Sequence, residues 1–136
     1  MSKSVGNVVN PMAEIEAYGP DALRIGLAQG RVAGVSSAYN RVKVEGGRYF
    51  CNKIWNIARY IESIIGSSDI NIANAKPNSI ADHWILDRFT TTEKQYRELM
   101  DKHLMAEALD KVHDLIWSNL ADWYIESSKH ESNPEL

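Results

Sequence analysis

Cysteine is almost absent from this 136-residue chain. The lone Cys51 rules out an internal disulfide and a cysteine-rich zinc site. It lies in an apolar-periodic stretch, where a buried, inert thiol is expected rather than a nucleophile. No apolar run approaches the ~18 residues of a membrane span, and no charged-then-apolar leader with a cleavage site is present. Strand signals are scarce, with only Val8-Val9 or residues 31–35 suited to a short strand. The four histidines, His83, His103, His113 and His130, lack the four-residue spacing of a zinc helix, so no metal site is expected. Asp110 and Asp114 share a helix face, which reads as solvated acid rather than a catalytic pair. These absences leave a cytosolic helical protein.

What is present is charge asymmetry and helical periodicity. Net charge is −3, an argument against a nucleic-acid binder until the chain is divided. Residues 1–60 hold eight Lys/Arg against four Asp/Glu, net +4, and residues 61–136 hold seven against fourteen, net −7. The N-terminal half is therefore the one suited to face a polyanion.

Asn10-Pro11 reads as an N-cap with proline at the first helical position, opening a short helix to about Tyr18. Gly19 stops it and Pro20 starts a second, to about Gln29, followed by a loop over 30–40. From about Tyr39, Phe50, Ile54, Ile57, Ala58, Ile61 and Ile65 form one apolar stripe. Gly46-Gly47 interrupts its start, so the helix begins after them, bends there, or meets a neighbour too close for side chains. Gly66 ends the helix and a polar connection follows to residue 78. Ser79 and Asp82 form a capping-box pair for a third long helix, buried through Ile85, Phe89, Tyr96, Leu99 and Met100. A last helix is expected from Leu104 to Lys129, with Met105, Ala108, Leu109, Val112, Leu115, Ile116, Leu120 and Trp123 on its apolar side. The fold class is all-α, an antiparallel helix bundle preceded by a short helical connector.

The first eleven residues set a lysine between two serines, then Gly-Asn and Asn-Pro, a polar loop with a phosphate-ready cation. Together with Gly6–Pro11, Tyr18–Arg24, Phe50–Asn56 and Ala121–Glu126, this string resembles the KMSKS loop and downstream motifs of class I aminoacyl-tRNA synthetases. The Ala121–Glu126 string is similar to the valyl type in particular, with isoleucyl and leucyl types as the neighbouring alternatives.

The resemblance implies residues 1–36 as signature loop and stem-contact connector, and 37–136 as a helical, truncated anticodon-binding domain. No HIGH-type string occurs, so the chain is expected to be a portion that is inactive in isolation. In the family, valine and ATP give an adenylate and valine passes to tRNA(Val), with Mg accompanying ATP. Lys3 matches the second signature lysine, the catalytic one, and Ser2 and Ser4 would add contacts to the ATP phosphates. A lysine aimed at those oxygens stabilises charge that develops in the transition state.

Candidate tRNA contacts are Arg41, Lys43, Arg48, Lys53 and Arg59 for phosphates, with Asn52 and Asn56 as hydrogen-bonding partners. Trp55, one position off the Phe50/Ile54 stripe, reads as a core or interdomain anchor rather than a base-stacking platform. A monomer is expected. A free-standing tRNA- or RNA-binding helical module without chemistry is the alternative class.

Overall fold

A computed structural model describes residues 8–31, 34–66 and 76–132, with side chains through Lys129. Among the described residues every regular element is helical, and neither Val8-Val9 nor the described part of 31–35 forms a strand. In chain order the elements are α1 (Pro11–Tyr18), α2 (Pro20–Ala28), α3 (Arg41–Ile65), α4 (Ile80–Asp101), α5 (Met105–Asp114), a π-helical segment (Leu115–Ile125) and α6 (Glu126–Ser132).

Local chemistry sets most of the boundaries. Asn10 accepts from the Met12 N–H at 3.0 Å with Pro11 at the first helical position, and α1 ends at Gly19, whose φ of 91° excludes other residues without strain. Asn40 caps α3 by accepting from the Val42 N–H at 2.9 Å. Ser79 and Asp82 form the full reciprocal box at the start of α4, at 3.1 Å and 2.9 Å. Asp82 also accepts from the Asn78 N–H at 2.9 Å and the Tyr124 hydroxyl at 2.6 Å. The Tyr124 hydrogen bond, followed by the two backbone donors, holds the Asp82 carboxyl well below the usual carboxylate range. One side chain thus caps α4 and ties it to the π segment.

Two cores result. In the first, α1 and α2 pack on the opening turns of α3 around Ala22, Leu23 and Val44, with Ile15, Tyr18 and Tyr39 against them. The helix runs unbroken through Gly46-Gly47, because α2 crosses there backbone to backbone. A Cβ on Gly47 would lie 2.7 Å from the Ala22 carbonyl oxygen, and one on Gly26 would lie 2.7 Å from the Val44 backbone. Gly46 faces open space. Glu14, only 3% exposed, accepts from the Tyr39 hydroxyl at 2.8 Å and from Arg41 at 2.6 Å. Arg41 first, then Tyr39, lowers its pKa, so the buried carboxylate stays charged and fully partnered.

In the second, α4 packs against α5 and the π segment, with Ile85, Thr92, Ala108 and Leu115 buried, while Ala121 and Ile125 of the π segment lie beside α3. The tight turn between α4 and α5 puts His103 at φ 59°, while the His103 and Leu104 N–H groups donate to Met100 and Leu99 at 2.9 Å each. Phe50, with its ring 4.5 Å from that of His113, joins α3 to this layer.

Three expectations are corrected. The α3 stripe is not a buried face beyond Phe50. Ile54 is 39% exposed and Ile61 41%, with Ile57 and Ile65 half-buried, because the C-terminal run meets α3 along Phe50, Lys53 and Tyr60 and covers the stripe only in part. On α4, Ile85 is buried but Phe89 and Tyr96 are exposed, and Thr92 takes the buried place between them. The last helical run starts on schedule but widens to π winding over Leu115–Ile125. There Asn119 donates to the Asp114 carbonyl five residues back at 3.1 Å, while Arg88 donates to Asn119 at 3.3 Å. Tertiary partners of Asn119, Asp122 and Tyr124 hold a winding that local propensity disfavours.

Candidate nucleic-acid interface

Lys3, Ser2 and Ser4, the ATP-phosphate candidates, lie outside the described residues. The tRNA candidates all fall on α3, and the structure separates them by what they already hold. Arg41 is spent on Glu14. Lys43 donates to the Gln29 and Gly30 carbonyls at 3.1 and 3.3 Å, and Arg48 donates to the Ala17 carbonyl at 3.2 Å. Both therefore satisfy carbonyls at the ends of α2 and α1, where helix dipoles favour a cation. These three cations clamp the connector helices onto α3. Arg41 and Arg48 remain exposed enough to meet a second anion.

Farther along, Lys53 pairs with Asp122 at 2.7 Å and sits 5.1 Å from the Trp117 ring centroid. Arg59 is exposed and makes neither ion pair nor hydrogen bond among the described residues, and Asn52 and Asn56 are exposed. At α-helical spacing Arg48, Asn52, Trp55, Asn56 and Arg59 share one side of the helix.

Of its two expected roles, core or interdomain anchor, Trp55 does not fill the first in this chain. It is 67% exposed, a flat apolar surface between two amides and two guanidinium groups. An indole so placed costs solvation of an apolar face and gains nothing from this chain. Its neighbours supply donors and acceptors for base edges and charge for phosphates. The signal was legible in the spacing itself, since Trp55 stands three and four residues from Asn52 and Arg59.

Around the helix from Trp55 lies an open cleft of about 280 Å³ between α3 and the C-terminal run, lined by Lys53, Asn56, Tyr60, Ala121, Glu126 and Lys129 among others. Tyr60 and Lys129 escaped the sequence reading. Lys129 lies 5.2 Å from the Tyr60 ring centroid and 2.6 Å from Glu126, a pairing made by a turn of α6 that spacing on α3 gives no hint of. Burial pushes the Cys51 thiol up in pKa, away from nucleophile chemistry. Among the described residues no group of three His, Cys, Asp or Glu is arranged to hold a metal, and no helix is long and apolar enough to cross a membrane.

Comparison with known proteins places the chain as a whole. Residues 82–135 match the family model described as the anticodon-binding domain of tRNA ligase. The chain is 42% identical over 130 residues to the valine–tRNA ligase of Lactiplantibacillus plantarum, covering 95% of this chain and 15% of the relative. Against the valine–tRNA ligase of Staphylococcus carnosus identity is 42% over 139 residues, 99% of this chain and 16% of the relative. The chain matches a portion of the valine–tRNA ligases over nearly its whole length. The valine–tRNA ligase of Clostridium perfringens, at 40% identity over 130 residues, shows the same coverage, 95% and 15%. The chain therefore spans about 15% of the length of the valine–tRNA ligases it matches. The family model covers α4 through α6, whereas the cationic face lies upstream on α3 and within the span shared with the valine–tRNA ligases.

Proposed function

We propose that this chain serves an ATP-dependent valine–tRNA ligase, and that its own share of the work is to grip tRNA(Val). The observation that carries the proposal is Trp55, bare to solvent between Asn52, Asn56, Arg48 and Arg59 on α3. Base-to-aromatic stacking joined to phosphate contacts is the chemistry that holds unpaired nucleotides. Arg48 and Arg59 take phosphates, Asn52 and Asn56 take base edges or sugar hydroxyls, and Arg41 and Lys43 extend the positive edge toward the connector. Lys53 takes part only after releasing Asp122.

Residues 1–36 are the signature loop and connector in this proposal, and 37–136 the anticodon-binding helices. Lys3 stabilises the ATP phosphates as pyrophosphate leaves, with Ser2 and Ser4 as secondary donors, and valine and Mg are bound by groups that this chain does not carry. The enzyme acts as a cytoplasmic monomer. The clamp of Arg41, Lys43 and Arg48 gives the connector helices α1 and α2 and the tRNA-binding helix a common frame.

Titration of tRNA(Val) into the full chain tests the proposal, using Arg48→Glu/Arg59→Glu beside wild type. Each reversal replaces a phosphate attraction by a repulsion, so affinity at about 0.1 M salt should fall at least tenfold, with a shallower dependence on salt. Far-UV circular dichroism confirms that losing the Ala17 contact has not unfolded α1. Undiminished binding by the double variant would remove α3 from the interface.

A further inference from the structure

The cleft beside the Trp55 face holds two lysines, and both already have an anion. Lys53 Nζ lies 2.7 Å from Asp122, and Lys129 Nζ lies 2.6 Å from Glu126. Each also sits over an aromatic ring, Trp117 for Lys53 and Tyr60 for Lys129. Both acids stand on the C-terminal run and Tyr60 lines the cleft, so each lysine head is held between a carboxylate and a ring. By contrast Arg59, on the same helix as Lys53, has no ion-pair or hydrogen-bond partner among the described residues.

A phosphate meeting Arg59 finds a cation with a water and salt atmosphere. A phosphate meeting Lys53 or Lys129 finds a carboxylate already bound, and that carboxylate repels it. A lysine that keeps its carboxylate neutralises no phosphate, so it releases none of the counterions condensed on the nucleic acid, and that release is the main source of sequence-independent affinity. Repulsion built against the wrong ligand raises discrimination even where it lowers raw affinity.

We infer that Asp122 and Glu126 are specificity-determining residues: fixed counter-charges that deny Lys53 and Lys129 to indiscriminate phosphate contacts and confine backbone binding to the Arg48–Arg59 face. This rests on the assignment of α3 as the RNA-binding helix. The carboxylates do not touch RNA themselves; they act through the lysines they hold. Exposed pairs of this kind are weak enough to open. A cognate tRNA, anchored elsewhere on α3, is able to displace them, whereas a loosely held polyanion is not.

The test compares wild type with Asp122→Asn/Glu126→Gln in the full chain, binding poly(U) and a tRNA(Val) transcript across about 50–200 mM KCl. Both substitutions keep the side chain's shape and hydrogen-bonding oxygen while removing its charge. Poly(U) binding should tighten about tenfold at the low end, and its log–log salt slope should steepen by about 0.7 for each lysine freed. The tRNA should gain less, so the preference for tRNA over poly(U) falls.

Glu93→Gln/Glu98→Gln on α4 is the charge-matched control. It removes two exposed carboxylates, one of them the partner of Arg97, away from the cleft, and should leave the preference unchanged. An unchanged preference in the cleft variant, or an equal fall in the control, overturns the inference. Wild type that fails to bind tRNA, beside a cleft variant that gains poly(U) binding, would support the counter-charge role and sink the tRNA assignment. Failure of every protein to bind either RNA would sink both.

Discussion

Replacing Gly26 by leucine should lower Tm by on the order of 10 °C and loosen α1 and α2 from the rest of the molecule. The added Cβ alone would stand 2.7 Å from the Val44 amide nitrogen and from its Cα, both backbone atoms that no rotamer change can move aside. The two helices must separate, and the core of Ala22, Leu23 and Val44 opens with them. Overpacking of this kind costs about 3 kcal/mol where the neighbour cannot give. Gly47 repeats the geometry from the other helix, with the Ala22 carbonyl oxygen at 2.7 Å.

Gly46 supplies the contrast. It is also mid-helix, yet a Cβ there meets nothing, so Gly46→Ala should gain about 0.5–1 kcal/mol from helix propensity and melt no lower than wild type. Thermal melts followed by circular dichroism read both. Equal melting of Gly26→Leu and wild type would mean that α2 does not cross α3 as described. Because Arg41, Lys43 and Arg48 fasten the same junction, the Gly26 variant should also weaken tRNA binding, as a consequence of lost structure.

Trp55→Ala is expected to act in the opposite manner, on binding and not on stability. The side chain is 67% exposed and supports no core, so Tm should hold or rise slightly. If the indole stacks an unpaired base, its removal costs about 1–3 kcal/mol, roughly 5- to 150-fold in affinity for tRNA(Val). Trp55→Phe should recover much of that loss, since a smaller π-face still stacks. Fluorescence anisotropy with labelled tRNA, paired with a melt of each variant, separates the two effects. Wild-type affinity in Trp55→Ala would assign the indole to another surface, and a large fall in Tm would mean that it is buried after all.

The contrast between Gly26 and Trp55 shows what the chain's pattern reveals unaided. Signals that act over three or four residues were legible. Asn10-Pro11, Gly19-Pro20 and the Ser79/Asp82 box gave helix ends that the structure reproduces, because caps are local hydrogen bonds between neighbours. The all-α class followed from periodicity. Burial was less legible, because an apolar stripe states that a face wants covering and not that something covers it. Phe50 is covered and Ile61 is not, though both carry the same periodic signal.

Cation counting failed in a similar way. Arg48 and Lys53 look alike in sequence, but one reaches a carbonyl 31 residues back and the other a carboxylate 69 residues on. The π winding of Leu115–Ile125 was hidden for the same reason. It is held by Arg88, Lys53 and Asp82, partners from other helices whose approach no local pattern encodes.

The central claim is that the Arg48–Arg59 side of α3 is the surface that meets tRNA(Val), and oxidative footprinting of the full chain tests it most directly. The four tryptophans are reporters at known places: Trp55 on the proposed face, Trp123 exposed elsewhere, Trp84 and Trp117 half-buried. With tRNA(Val) bound, hydroxyl-radical oxidation of Trp55 should fall several-fold while Trp123 oxidises as in the free chain. Oxidation of Trp55 unchanged by saturating tRNA, with protection appearing at Trp123 or along α4 instead, would contradict the account.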